Sequence, residues 1–323
     1  MDAIHIVGAG GIGCALGYAL RKANVNVTFV ETNPNKISYG RRFGVAIEGQ
    51  TPFNAEFVNL ADWSPRSDAI VLLCTKCYDN AAVLARLPES ARFVPVQNGF
   101  DSQLDARGHE VEGISEFVSE CADDRPVTRI TRRGLVHFGG RGHGVPAWFR
   151  PFIPLCRLGE LFYFHEAKDI RPFKYAKLMY NAAISPLAAA AGMDNGKLLS
   201  IPQARRLFFA MLRENFDILT GAGIALGKVG PFHPRTVNWI LQRHWLAGLL
   251  ARAFEPGLRG TYCSMSGDLP KGRTEIANYN GRLVELAGER PCPLNRRAVE
   301  VVTRMERERI LPHLGALAWF EKA

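Results

Sequence analysis

The chain has 323 residues, 47% hydrophobic and 22% charged, an ordinary globular composition that excludes a disordered tail, a collagenous repeat and a small disulfide scaffold. Its length suggests two domains. Lysine and arginine number 40 against 31 acids, a net charge of +9. The cations are dispersed, with short interrupted runs at 129–133 and 304–309, so an anionic small substrate or a phosphate-bearing cofactor suits the charge better than nucleic acid.

The first segment, residues 3–7, reads as a short buried strand. No basic segment precedes it, and apolar stretches such as 184–193 fall far short of the ~20 residues of a membrane span. Neither a secretory signal nor a membrane partner is therefore expected. The seven cysteines lack regular spacing and read as reduced cytoplasmic thiols. Gly8-Ala9-Gly10-Gly11-Ile12-Gly13 follows the strand, residues 15–22 have helical composition, and 25–30 form a second strand. This is a βαβ unit of the length a parallel crossover needs. The chain leaves the strand tightly at Gly8, Gly10 admits a pyrophosphate, and Gly13 lets the helix pack close. The helix N-terminus offers free N–H groups to phosphates. The flanking strands make this run a dinucleotide fingerprint rather than a packing turn.

Glu31 ends the second strand, 18 residues past Gly13. An acid there can accept both ribose hydroxyls of NAD and repel the 2′-phosphate of NADP; otherwise it caps a helix starting near Asn33-Pro34. Lys36, Arg41, Arg42 and Lys76 are nearby cations that can serve a phosphate. NAD(H) is slightly favoured over NADP(H). Residues 69–74 and 92–96 are further buried strands, the second weakened by Pro95. Such strands alternating with helices predict a doubly wound, mainly parallel sheet. Cys74-Thr75-Lys76-Cys77 is a C-x-x-C, yet no second pair or Cys/His cluster completes a zinc site. No metal is expected, and Lys76 at a strand's carboxyl end is the residue of interest. In Gln97-Asn98-Gly99, Asn98 can bond a ribose or a substrate, and Asn-Gly is also a turn. The Gly-rich stretch 134–144 suggests a hairpin at the edge of the first domain.

Beyond about residue 165 the patterns are helical, with candidates at 174–191, 204–221, 235–253, 274–287 and 295–309 and loops at 227–234 and 255–271. The boundary falls near Asp169. A Rossmann dinucleotide-binding domain, 1–168, thus precedes an all-α substrate-binding and catalytic domain, 169–323. On the first helix Lys177, Asn181 and Ser185 share a face. A lysine in a partly dry cleft can act as a general acid, although spacing alone favours a solvated face. Glu275 suits a helix N-terminus, and Ser264 reads as a turn hydroxyl.

Taken together, the glycine fingerprint, Lys76, Gln97-Asn98-Gly99, Lys177-Leu178 with Asn181, Asn195-Gly196, Ser264-Met265, Thr274-Glu275-Ile276 through Gly281, and Pro293 with Asn295 resemble the ketopantoate reductase (2-dehydropantoate 2-reductase) family in order and approximate spacing. The resemblance covers most of the chain. It implies an NAD(P)H-dependent reduction of a small anionic 2-oxo acid, best 2-dehydropantoate to (R)-pantoate in pantothenate biosynthesis, in the cytoplasm. It implies that Lys177 is the general acid and that Glu275 bonds a substrate hydroxyl and helps position Lys177. Asn98, Asn181, Ser185, Asn195 and Ser264 would line the substrate pocket, while Lys76 and Asn98 would contact the cofactor. Helical domains of such enzymes often pair, which leaves a homodimer open. The chain departs from the family pattern in four places. Ser185 replaces a usual Asn and leaves room there. The 11-residue step from Ser264 to Glu275 is one residue short. Glu31 stands where NADP-using members often carry a cation or a small residue, and residues 115–133 share little of the usual text. A relative acting on another ketone, 2-oxo acid or imine is the alternative, as is a non-catalytic dinucleotide-binding regulator, against which Lys177 and Glu275 argue.

Overall fold

A computed structural model describes residues 4–66, 68–159 and 161–321; Ala3, the start of the first predicted strand, lies outside the described residues. The chain divides into two compact units, Met1–Ile170 and Arg171–Ala323.

The first unit holds β1 (Ile4–Val7), α1 (Gly11–Lys22), β2 (Val27–Glu31), α2 (Pro34–Phe43), β3 (Ala46–Ile47), β4 (Glu56–Asn59), β5 (Ile70–Leu73), α3 (Asn80–Leu84), β6 (Arg92–Pro95), α4 (Ser102–Arg107), β7 (Val111–Ser115), β8 (Val118–Cys121), β9 (Val127–Arg132), β10 (Gly134–Gly140) and β11 (Phe162–Ala167). Five strands form an all-parallel sheet in the order β4-β2-β1-β5-β6. β5 is apolar and buried throughout, and the other strands keep their apolar residues inward on both faces because both faces are covered. Ile4, Ile6, Phe29, Phe57 and Leu72 pack into one core, and Val7, Val30, Val71, Leu73 and Phe93 into another. The chain winds outward from β1 to β4 on one side and from β5 to β6 on the other. The carboxyl ends of β1 and β5 therefore flank the switch point where such sheets bind ligands.

The Gly-rich stretch is not an edge hairpin. β10 is the central strand of a second sheet, β11-β10-β7, parallel to β11 and antiparallel to β7. Its glycines serve close approach: a Cβ on Gly139 would lie 2.7 Å from the Ala167 carbonyl oxygen, and one on Gly140 1.8 Å from that of Gly144. Residues 115–133 supply the β8–β9 hairpin, which with β3 forms a third sheet packed on α1.

The second unit is helical: α5 (Arg171–Ala191), α6 (Asn195–Ser200), α7 (Pro202–Gly221), α8 (Pro234–Leu241), α9 (His244–Leu258), a π turn at Ala277–Gly281, α10 (Arg282–Ala287) and α11 (Pro293–Glu308). The 21-residue α5 contains Pro186, which has no N–H to give the Ala182 carbonyl one turn back. The Asn280 side chain supplies that donor, Nδ2 to the Ala182 oxygen at 2.8 Å. Asn280 Nδ2 also donates to Asn295 Oδ1 at 2.9 Å. Asn295 Nδ2 donates in turn to Asn215 Oδ1 at 2.7 Å and Glu214 Oε1 at 2.8 Å, and Asn215 Nδ2 donates to the Met179 carbonyl at 2.9 Å. One buried polar network thus ties α5, α7, the π turn and α11.

Two expected helices differ. Residues 274–287 are not one α-helix: the wider π turn comes first, held by the side-chain bonds of the buried Tyr279 and Asn280. Residues 235–253 break in two at Arg243 (φ −116°, ψ 88°). Its guanidinium lies 3.8 Å over the Trp239 ring and donates to the Trp239 carbonyl at 2.8 Å, closing α8. Among the described residues no helix is long and apolar enough to cross a membrane.

The Asn280 bond yields a test. Asn280→Ala leaves the buried Ala182 oxygen unmet and costs about 1–3 kcal/mol. In a Pro186→Ala background, where a backbone N–H is restored, the loss shrinks by about 1 kcal/mol. Denaturant unfolding of the four proteins of this cycle measures it; equal losses in both backgrounds contradict the substitution of one donor for the other.

Candidate functional site

The first turn off the sheet is shaped by contact. Gly8 has φ +99°, and a Cβ there would sit 3.0 Å from the Cys74 carbonyl group. A Cβ on Gly13 would lie 2.1 Å from the Gly8 oxygen. Gly10 differs, with φ −90° and nothing within 4 Å of the place a Cβ would occupy, so packing does not demand its glycine. It caps α1 without any side-chain bond, which leaves the first-turn N–H groups available to an anion.

Glu31, at the end of β2, is fastened to this turn. Its Oε2 accepts from the Ala9 N–H at 3.0 Å, and its Oε1 accepts from Thr32 and Asn33 N–H at 2.7 and 3.1 Å. It does not cap α2; Asn33 does, accepting from the N–H groups of Asn35 and Lys36. Lys36 Nζ reaches back to donate to the Ala9 carbonyl at 2.9 Å.

Lys76 follows β5 and precedes a single 3-10 turn, Cys77–Asp79. The ends of β5 and β6 are locked by a reciprocal amide pair: Gln97 Nε2 donates to Asn80 Oδ1 at 2.7 Å, and Asn80 Nδ2 to Gln97 Oε1 at 3.1 Å. Gln97 Nε2 also donates to the Thr75 carbonyl at 2.8 Å. The C-x-x-C serves this frame, the Cys77 thiol donating to Gln97 Oε1 at 3.7 Å, while burial pushes the Cys74 thiol far up. Asn98 comes next, and its Oδ1 is buried without a hydrogen-bond partner.

In the second unit, Lys177 and Asn181 are half-buried on one face of α5, and Ser185 is 2% exposed. The Cys263 thiol donates to the Ser185 carbonyl at 3.5 Å. The next residue, Ser264, begins a chain: its Oγ lies 3.4 Å from the Tyr279 hydroxyl, which donates to Glu275 Oε2 at 3.4 Å. Glu275 is 4% exposed. Asn195 opens α6. Its N–H donates to the Thr261 carbonyl at 2.9 Å and its Nδ2 to Thr261 Oγ1 at 3.5 Å. Thr261 Oγ1 gives its own proton to the Leu258 carbonyl, which fixes the amide's orientation. The Asn195 Oδ1 is buried and without a partner. Gly196 is required because a Cβ there would meet the Arg259 nitrogen at 2.6 Å.

The structure thus gathers Ser185, Ser264 and Glu275 through Cys263 and Tyr279. Lys177 and Asn181 lie two turns and one turn earlier on α5, and Asn195 sits on the adjoining α6. Sequence reasoning missed Tyr279 as the link and Asn280 as the anchor; the i, i+4 spacing of Glu275 and Tyr279 was the available signal. Among the described residues no cluster of His, Cys, Asp or Glu could hold a metal ion.

Comparison with known proteins adds the following. Residues 4–134 match the family model for ketopantoate reductase PanE/ApbA, and residues 169–306 match the model for its C-terminal part. A 2-dehydropantoate 2-reductase of Pyrococcus horikoshii is 25% identical over 305 residues, spanning 88% of this chain and 90% of that protein. The crystal structure of a PanE/ApbA family ketopantoate reductase from Ralstonia eutropha superposes with a TM-score of 0.73 at 21% identity, covering 95% of this chain and 99% of the other. A D-mandelate dehydrogenase solved with NADH and anilino(oxo)acetate gives a TM-score of 0.76 at 17% identity, over 96% and 99% of the two chains.

The two glycines should separate on heating. Gly13→Ala lowers the melting temperature by several degrees or prevents folding, because backbone must shift to admit the methyl group. Gly10→Ala changes stability by no more than about 0.5 kcal/mol. Thermal unfolding by circular dichroism checks both, and a comparable loss for Gly10→Ala refutes the reading of an uncrowded position.

Proposed function

The chain belongs to the ketopantoate reductase PanE/ApbA family of NAD(P)-dependent oxidoreductases, and from that premise we propose that it is a cytoplasmic reductase of a small 2-oxo acid, with NADH preferred and 2-dehydropantoate to (R)-pantoate as the leading reaction. In this reading residues 1–168 hold the dinucleotide. The N–H groups at Gly10, Gly11 and Ile12 receive the pyrophosphate, Glu31 accepts from the ribose hydroxyls, and Lys76 and Asn98 touch the cofactor further along. The vacant space at Gly10 and the pinned carboxylate at Glu31 fit such a ligand.

Residues 169–323 hold the substrate through Asn181, Ser185, Asn195 and Ser264. The bound nicotinamide supplies the hydride. Lys177 holds a proton at Nζ and delivers it to the substrate's carbonyl oxygen, its positive charge meeting the negative charge that gathers there. Glu275 accepts from a substrate hydroxyl, its orientation kept by the Tyr279 hydroxyl.

The observation that carries this reading is the match of both parts of the chain to the family models, and the buried, unpartnered oxygens on Asn98 and Asn195 accord with it. A buried acceptor left unmet costs about 1–3 kcal/mol, and the hydroxyls of a ribose or a hydroxylated substrate supply the missing donors. A second reading, a 2-oxo acid with another side chain, is favoured by Ser185, whose hydroxyl is smaller than the usual amide. It draws on the likeness to a D-mandelate dehydrogenase holding an aromatic oxo-acetate. A panel of 2-oxo acids followed by nicotinamide absorbance with both coenzymes decides between them; no reduction of any member with either coenzyme removes both.

Lys177→Ala should lower kcat by ~10²–10⁴, the loss expected of a general acid, with dinucleotide affinity nearly unchanged. Single-turnover kinetics beside a cofactor titration measures this, and a near-wild-type kcat eliminates the proposed acid. For the coenzyme, wild type should bind NADH more tightly than NADPH, and Glu31→Arg should invert the order. Wild-type preference for NADPH by tenfold or more, about 1.4 kcal/mol, in the same titrations is the contrary outcome.

A further inference from the structure

Cys14 lies in the first turn of α1 and is 0% exposed. Cys121 is the last residue of β8. Their sulfurs are 4.0 Å apart, although 107 residues separate them. Cys121 faces three elements at once. Its Sγ lies 3.6 Å from Lys36 Nζ of α2, donates to the Ala9 carbonyl at 3.4 Å and lies 3.7 Å from the Arg125 carbonyl. The two thiols are unequal. The hydrogen bond from Cys14, then the Lys36 ammonium, bring the Cys121 thiol down to about 7 against the opposing effects of burial and Glu31. Burial pushes Cys14 up. Burial likewise raises Cys74 and Cys156, which leaves those thiols inert.

We infer that Cys14 and Cys121 form an oxidisable dithiol beside the glycine turn, a modification site that takes a hydroperoxide and closes to a disulfide. Cys121 is the attacking sulfur. Its thiolate bonds to one peroxide oxygen, the O–O bond breaks, and the departing hydroxide takes a proton to become water, leaving a sulfenic acid on Cys121. The Cys14 sulfur then attacks the Cys121 sulfur. The S–O bond breaks, and the leaving hydroxide accepts the Cys14 proton as a second water. Two thiols are oxidised by two electrons in all, and one peroxide is reduced. Closure needs an S–S distance of about 2.05 Å, so the β8 end is drawn onto the first turn of α1 and Lys36 loses its sulfur partner.

The test uses the full chain, treated with stoichiometric hydrogen peroxide near neutral pH, blocked with N-ethylmaleimide and mapped by mass spectrometry. A peptide joining Cys14 to Cys121, two hydrogens lighter and split by dithiothreitol, is expected. In Cys14→Ser the oxidation should stop at a sulfenic acid on Cys121 that dimedone captures. Lys36→Met should slow Cys121 oxidation about tenfold, as for a thiol returned toward its ordinary range, and Lys36→Arg should restore it. Oxidation falling first on other cysteines, or an unchanged rate in a folded Lys36→Met protein, overturns the assignment.

Discussion

Pro186 interrupts the longest helix of the second unit, and the amide of Asn280 repairs the break. Because a buried carbonyl must find a donor, this repair dictates where the π turn sits against α5. The turn carries Tyr279 beside Asn280, and Tyr279 links Ser264 to Glu275. Asn295 and Glu214 continue the same network, with Glu214 accepting from the backbone N–H groups of Leu294 and Asn295 at the start of α11. The residue that meets the missing N–H thus neighbours Tyr279, which joins Ser264 to Glu275. The network is buried and its amide nitrogens are all engaged, while the Asn280 Oδ1 is left without a partner.

The first unit works by exclusion instead. At Gly8 and Gly13 the backbone comes so near that no side chain fits, and α1 is thereby pressed against the sheet end. The Gln97–Asn80 pair fixes the neighbouring strand ends by reciprocal bonds, so the loop carrying Lys76 and the one carrying Asn98 share a single frame.

Much of this was legible in sequence because it rests on local pattern. The glycine run, the apolar strands and the acid ending β2 each report a short-range requirement, and the family resemblance joined distant motifs in order. What escaped depends on partners far away in the chain. Nothing near Gly134 says that its strand will be central rather than marginal, because that is decided by β7 and β11. Residues 115–133 look uninformative until the β8–β9 hairpin is seen lying on α1. The π turn was hidden for a similar reason: its Asn280 bonds a carbonyl on α5 that is 98 residues away in the chain, and helix periodicity does not carry that information.

Glu31 spends both of its carboxylate oxygens on backbone N–H groups, one of them in the glycine turn itself. The residue that would discriminate between coenzymes is therefore also a mechanical brace for the loop that would bind either. A cation in place of the acid gives up the bond to the Ala9 N–H and leaves the Lys36 bond to the Ala9 carbonyl to hold that residue. On the proposed assignment, coenzyme selection and loop bracing rest on one side chain, so a substitution at Glu31 acts on both at once.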